Sequence, residues 1–188
     1  MNNFELYNPV NYVFGKGQTE KLATLVPKDA KVLLAYGGGS IFKNGVHEAV
    51  TTALKSREFG IEIVEFGGIE PNPRFETLMK AVQIIREQKI DFILAVGGGS
   101  VIDGVKFISA ASKFEGDEAD ILRKRILFTD LSQVIPFGTV LTLPATGSEM
   151  NSGAVVTIEA THEKLTLGGS ALFPKFSIVD PTVITSLP

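Results

Sequence analysis

The stretch Phe92–Asp103, FILAVGGGSVID, constrains the fold more than any other part of the chain. Five apolar residues, Phe92 to Val96, form a short buried strand. Three glycines follow, and from Ser100 the apolar spacing becomes helical through Lys113. A strand that ends in glycine and restarts as a helix aims several backbone N–H groups at one point. Glycine permits the tight turn and lets a ligand come close to the backbone. The helix N-terminus adds partial positive charge, which suits an anion, most often a phosphate. An ordinary strand–turn–helix corner has the same pattern, but here it occurs twice. LLAYGGGSIF at 33–42 matches ILAVGGGSVI at 93–102, each between a strand and a helix. Neither copy is G-x-G-x-x-G, which would need glycine where Phe42 and Ile102 stand, and G-x-x-x-x-G-K-[ST] is absent. The two copies read as paired phosphate cradles of a less common kind.

Around them the hydrophobic pattern alternates between strands and helices. Residues 4–14 read as an N-terminal strand near an edge, and Thr19–Val26 as a short helix with Thr19 as its cap. Strand Lys31–Tyr36 precedes the first cradle. Helix Val46–Phe59 stops at Gly60, and strand Ile61–Phe66 closes on Gly67-Gly68. The rigid Pro71-Asn72-Pro73 loop leads into helix Arg74–Lys89, with Leu78, Val82 and Ile85 on one face, and then strand Ile90–Val96. This order calls for an α/β fold, a parallel sheet with helices on both faces. Ligands of such sheets bind beyond the C-terminal strand ends, where both cradles fall. Further on, a short helix is expected around Ile121–Leu127 and a strand at Gly138–Leu143. A hairpin pairs Ala154–Ile158 with Leu165–Leu167 across a Thr161–Lys164 turn, and Phe176–Val179 is the last strand.

Composition narrows the function classes. The 188 residues allow one domain with a sizeable core, and 44% apolar content is globular. A net charge of -3 gives no electrostatic reason for a nucleic-acid or membrane partner. With no cysteine there are no disulfides and no thiolate metal sites. The opening MNNFELYNPV lacks the pattern of a secretion signal, and no apolar run approaches the ~18 residues of a membrane span. A cytoplasmic protein is the expectation.

Several polar groups could carry chemistry. Ser100-x-x-Asp103 and Thr146-x-x-Glu149 have capping-box spacing, and a capped helix presents the very N–H groups a phosphate uses. Ser40-x-x-Lys43 instead puts a cation where a helix start prefers an anion, a conflict that bound negative charge would relieve. The two histidines, His47 and His162, have no second ligand at metal spacing. Ser148 lacks the G-x-S-x-G elbow of a hydrolase nucleophile.

GGGS at 37–40, GGIEPNP at 67–73, GGGSVIDG at 97–104 and LTLPATGSEMNSG at 141–153 together resemble the iron-containing alcohol dehydrogenases. The nearest branch is that of NADPH-dependent butanol dehydrogenases and aldehyde reductases. The resemblance spans the chain, from Tyr12–Gly15 to the VDP at 179–181. It implies a Rossmann-like dinucleotide domain over residues 1–188, with a helical metal-binding domain in the full-length protein only. Residues carried over by position are Gly98, Gly99 and Ser100 on the pyrophosphate, with Gly97 also binding the cofactor and Asp103 beside it. Thr142, Leu143, Thr146 and Ser148 would line the nucleotide cleft, with Lys164, in the hairpin turn, toward the phosphate or ribose. Asn72 and Asn151 would border the nicotinamide and substrate pocket. NAD-preferring relatives carry an acid at the position of Gly39; here Gly37, Gly38, Gly39, Ser40 and Lys43 form an acid-free pocket, which implies NADP(H).

The implied activity is interconversion of primary alcohols and aldehydes by hydride transfer. The family's metal, iron or zinc, is held by one aspartate and three histidines beyond the VDP strand. The sequence ends at Pro188, so this truncated chain alone is expected not to turn over alcohols. A homodimer paired through residues about 3–14 is also implied. Two alternatives stay open: a stand-alone, non-catalytic nucleotide-binding module, and a relative in the glycerol dehydrogenase group, which shares GGGS-x-x-D. The Pro144–Glu149 segment favours the alcohol dehydrogenases.

Overall fold

A computed structural model describes residues 3–5, 7–56 and 60–184. In chain order its elements are β1 (Asn11–Phe14), α1 (Leu22–Leu25), β2 (Lys31–Tyr36), α2 (Ser40–Lys43), α3 (Val46–Lys55), β3 (Glu62–Phe66) and α4 (Phe75–Gln88). Then come β4 (Phe92–Gly98), α5 (Gly99–Ala111), α6 (Ala119–Arg123), β5 (Phe137–Leu143), β6 (Ala154–Ile158), β7 (Glu163–Leu167) and β8 (Phe176–Val179). Six strands form one sheet in the order β1-β8-β5-β4-β2-β3, with every pairing parallel. β6 and β7 form a separate antiparallel pair. The expected Rossmann-like α/β architecture with a small hairpin and an N-terminal edge strand is therefore present.

Alternation in the strands explains the layering. On β2 and β4, Leu33, Ala35, Ile93 and Ala95 meet α4 and α5 through Leu78, Val82, Ile85, Val105 and Ile108. Val32, Leu34, Phe92 and Leu94 face the other way, onto Leu22, Val50 and Leu54 of α1 and α3. Strands buried on both faces read as continuous apolar runs, which is why LLA and FILAV show no alternation. Edge strand β1 buries only Val13.

The guanidinium of Arg86 on α4 closes the C-terminus of α5. It donates to the carbonyls of Ala111 (2.7 Å), Ser112 (3.2 Å) and Phe114 (3.1 Å), and pairs with Glu118 at 2.7 Å. The unpaired carbonyls of a helix end are thereby satisfied from a neighbouring helix rather than by a glycine cap.

Local expectations fail where a tertiary partner replaces the near one. Thr19 caps nothing: it is buried, and the turn at 18–21 starts from Gly17 in the left-handed region. β4 runs on through Gly97 and Gly98 because β5 continues alongside, opposite Leu141 and Leu143. α5 accordingly begins at Gly99. The hairpin turn falls at 159–162, ending with His162 at φ 54°, so Lys164 stands within β7, opposite Thr157. α3 is described to Lys55; its expected continuation over 57–59 lies outside the described residues, as do 185–188.

Close packing of β5 on β8 requires glycine at 138, where a Cβ would overlap the ring of Phe176, itself buried and stacked on Phe92 at 6.1 Å. Gly138→Ala should cost about 1–3 kcal/mol, read as a lowered urea midpoint with an unchanged slope.

Candidate functional site

The C-terminal ends of β2, β4 and β5 open into one hollow of about 250 Å³, lined among others by Gly37, Gly39, Ser40, Gly97, Gly98, Thr142 and Leu143. Both glycine turns, 60 residues apart in sequence, thus face a common space, because β2 and β4 are adjacent and in register. A larger hollow of about 790 Å³ adjoins it, sharing Asn44 and Val183. Its wall includes the glycine-led start of α3 at Gly45–Val46, but Glu48 stands in that helix's first turn and Glu20 and Asp180 also line the hollow, so anion chemistry belongs to the smaller one.

At the second turn the backbone is approached closely. A Cβ on Gly99 would lie 2.5 Å from the hydroxyl of Thr146, and one on Gly98 3.3 Å from Leu143. Thr146 Oγ1 is 2.9 Å from Ser148 Oγ, and Ser148 donates to Asp103 at 2.7 Å. Asp103 also accepts from the N–H of Val155 at 3.0 Å. On the other side, Ser100 Oγ accepts from the N–H of Asn72 at 3.3 Å, and Lys164 Nζ donates to Asn72 Oδ1 at 2.9 Å. Gly99 sits between two polar groups: Thr146, Ser148 and Asp103 on one side, Ser100, Asn72 and Lys164 on the other.

These bonds correct both capping boxes. Ser100 and Asp103 make no cap bond at α5, whose N-cap is Gly98, because their oxygens are engaged by Asn72, Ser148 and Val155. Thr146 and Glu149 do not cap either; the 3-10 turn at 148–150 starts from Gly147 at φ 71°. The conflict expected at Lys43 is also absent. α2 is a single turn, so Lys43 is its last residue, exposed, where the dipole favours a cation. The carboxylate close to this corner is Glu65, bound by Tyr36 Oη at 3.1 Å and His47 Nε2 at 3.2 Å. The Phe42 ring lies against that of His47, tilted by 35° with centroids 4.3 Å apart.

Lys106 was not singled out in the sequence, yet it is fully buried at the base of the site. Its Nζ donates to the carbonyls of Ser148 (2.8 Å) and Gly153 (2.7 Å) and to Asn151 Oδ1 (2.9 Å). Asn151 also accepts from the N–H of Gly153 at 3.0 Å and donates to the carbonyl of Gly147 at 2.9 Å. Most of its amide is thus engaged within its own loop. Burial lowers the Lys106 pKa to about 8, although Asp103 and Glu149 pull it upward. Burial likewise raises that of Asp103 against the bonds from Ser148 and Val155 and the charge of Lys106. The sequence signal for Lys106 was slight: one cation in the apolar run Val105–Ala111, three residues after Asp103.

The profile of the iron-containing alcohol dehydrogenases matches residues 9–181. The chain belongs to that family. It is 49% identical over 191 residues to the NADPH-dependent aldehyde reductase YqhD of Escherichia coli, covering 100% of this chain and 48% of that protein. It is also 49% identical over 189 residues to the probable NADH-dependent butanol dehydrogenase 2 of Bacillus subtilis, covering 100% and 47%. Among solved structures, E. coli YqhD superposes with a TM-score of 0.91 at 48% identity, covering 100% of this chain and 47% of that one. The NADH-dependent butanol dehydrogenase A of Thermotoga maritima gives 0.91 at 42% identity, covering 100% and 46%. The chain spans about half the length of the curated relatives it matches.

Among the described residues no three His, Cys, Asp or Glu side chains are placed to hold a metal, so the residues present do not fit the family's ion. No helix among them is long and apolar enough to cross a membrane.

The lysine has a pH signature. Its pKa is about 8 in the fold against 10.5 in the open chain, so between those values the unfolded state binds more protons. Stability must then rise with pH across that window. The wild type should gain more than about 1 kcal/mol relative to Lys106→Met between pH 7.5 and 10, followed by urea melts.

Proposed function

We propose that this chain is the NADP(H)-binding half of an alcohol dehydrogenase or aldehyde reductase that interconverts primary alcohols and aldehydes by hydride transfer. The observation that carries it is the hollow at the ends of β2, β4 and β5, where Gly37, Gly39, Ser40, Gly97 and Gly98 present bare backbone beside the start of α5. In this assignment the N–H groups of Gly98, Gly99 and Ser100 bind the pyrophosphate. The helix start lowers the energy of that negative charge. Thr142, Leu143, Thr146 and Ser148 wall the cleft, Lys164 reaches the phosphate or ribose through the place it shares with Asn72, and Gly37–Ser40 receive the adenosine end. A nicotinamide held there would supply the hydride donor or acceptor. Asn72, Asp103 and Asn151 orient its surroundings.

A preference for NADP(H) is supported by the lining at Gly37, Gly39 and Ser40, which carries no carboxylate, and by Glu65 being engaged by Tyr36 and His47. The relative from E. coli is named for NADPH and those from B. subtilis and T. maritima for NADH. Overall identity therefore does not decide the cofactor, and we assign the choice to these few positions. Turnover is assigned to the full-length protein, whose metal, iron or zinc, is not assigned to any residue described here. We further propose a cytoplasmic homodimer joined along β1. That strand ends the sheet and exposes Tyr12 and Phe14, next to exposed Phe4 and Tyr7. Unpaired sheet edges of this kind are templates for strand pairing.

Fluorescence titration with NADPH and NADH tests the assignment. NADPH should bind more tightly, and Ser40→Asp should weaken NADPH by about tenfold or more while sparing NADH, since like charges brought together cost several kcal/mol. Equal binding of the two would remove the NADP(H) preference, and no binding by folded protein would remove the function. Sedimentation should give a dimer that Phe14→Lys dissociates; a wild-type monomer would refute the β1 interface.

A further inference from the structure

We propose that Lys106 is a positioning residue, which clamps the 148–153 segment to α5 and so holds Thr146 and Ser148 over the backbone of Gly99. This role presupposes the dinucleotide site proposed above. Three acceptors from one segment, Ser148 O, Asn151 Oδ1 and Gly153 O, converge on its Nζ at 2.7–2.9 Å. They match the three N–H bonds of an ammonium group. One turn earlier on the same helix, Asp103 grips the Ser148 hydroxyl and the N–H of Val155. Ser148 is thus held by α5 at both its hydroxyl and its carbonyl. Its hydroxyl is in turn 2.9 Å from Thr146, the group that stands over Gly99.

The consequence is geometric. The helix whose first turns border the hollow also fixes the loop that packs against Gly99. That contact is therefore set before any ligand arrives, and binding need not order the loop. Stability alone does not account for such a group. Burial moves the pKa of Lys106 down and that of Asp103 up, so desolvation outweighs their attraction in both. A buried pair of this kind contributes little net stability, whereas removing one partner leaves the other uncompensated. The titratable groups facing Lys106 are Asp103 on its own helix and Glu149 on the clamped segment.

The test uses the full chain and NADPH as probe, with amide hydrogen exchange as a second readout that needs no ligand. Lys106→Met keeps the length of the side chain and removes the ammonium. It should raise the NADPH dissociation constant by about tenfold or more, the scale of one lost charged hydrogen bond, and should speed exchange at the amides of Gly153 and Val155. Because the chain has no cysteine, Lys106→Cys can be aminoethylated while unfolded and refolded, which restores an ammonium at nearly the same place. Rescue of both readouts by that adduct, and not by an uncharged alkyl adduct of equal length, is the expected result. Wild-type affinity and wild-type exchange in folded Lys106→Met would overturn the proposal. If Lys106→Met does not fold, the two adducts decide. Rapid exchange of Gly153 and Val155 in the wild type would also overturn it. Wild-type protein with those amides protected but no affinity for NADPH or NADH would instead refute the cofactor assignment and leave the clamp standing.

Discussion

Helix Gly99–Ala111 is buried along nearly its whole length, and its polar side chains bond to segments far away in sequence. Asp103 and Lys106 hold residues 148–155, and Ser109 donates to the carbonyl of Ile135 at 2.5 Å. Arg86 reaches across from the neighbouring helix to satisfy its last carbonyls. The strand before this helix lies in the middle of the sheet, between β2 and β5. A displacement of the helix would therefore disturb the sheet, the loop that packs against Gly99 and the loop into β5 together. This one element gives the site its rigidity, which is what close backbone recognition needs.

Burying a lysine and an aspartate in that helix costs stability, and both pKa shifts carry the sign of that cost. The arrangement nevertheless gives the Ser148 and Gly153 carbonyls and Asn151 Oδ1 a common donor, which an apolar residue at 106 would not supply. Packing alone could not hold this loop in one register. It is short of large apolar side chains between Thr146 and Gly153, with only Met150, so directional bonds take over the work of a core.

The relatives divide in their cofactor names while remaining similarly close in sequence, at 49% for one NADPH-dependent and one NADH-dependent enzyme. In the function proposed above, the pyrophosphate is assigned to the backbone of the second glycine turn, and discrimination of a 2'-phosphate to the corner after β2, where Gly39, Ser40, Phe42, His47 and Glu65 gather. In this chain the acid of that corner is already occupied by a histidine and a tyrosine.

The features legible along the chain are those that depend on neighbours within a few residues. The apolar runs at 33–35 and 92–96, the glycines that end them and the helical spacing of Leu78, Val82 and Ile85 are local signals, and they place two strand–turn–helix units in a parallel sheet. The family's four motifs are legible in the same way. Which polar groups answer which depends on contacts made in the folded chain. Ser100 and Asp103 have capping spacing, yet partners 28 to 52 residues away compete for them and win, while Thr146 bonds Ser148 two residues on. Lys43 changed meaning because its helix lasts a single turn, and Lys164 because the hairpin turn closes two residues earlier. Lys106 was invisible for the same reason. A lone cation in a helix reads as a solvated face until the loop that buries it, more than 40 residues downstream, is folded over it.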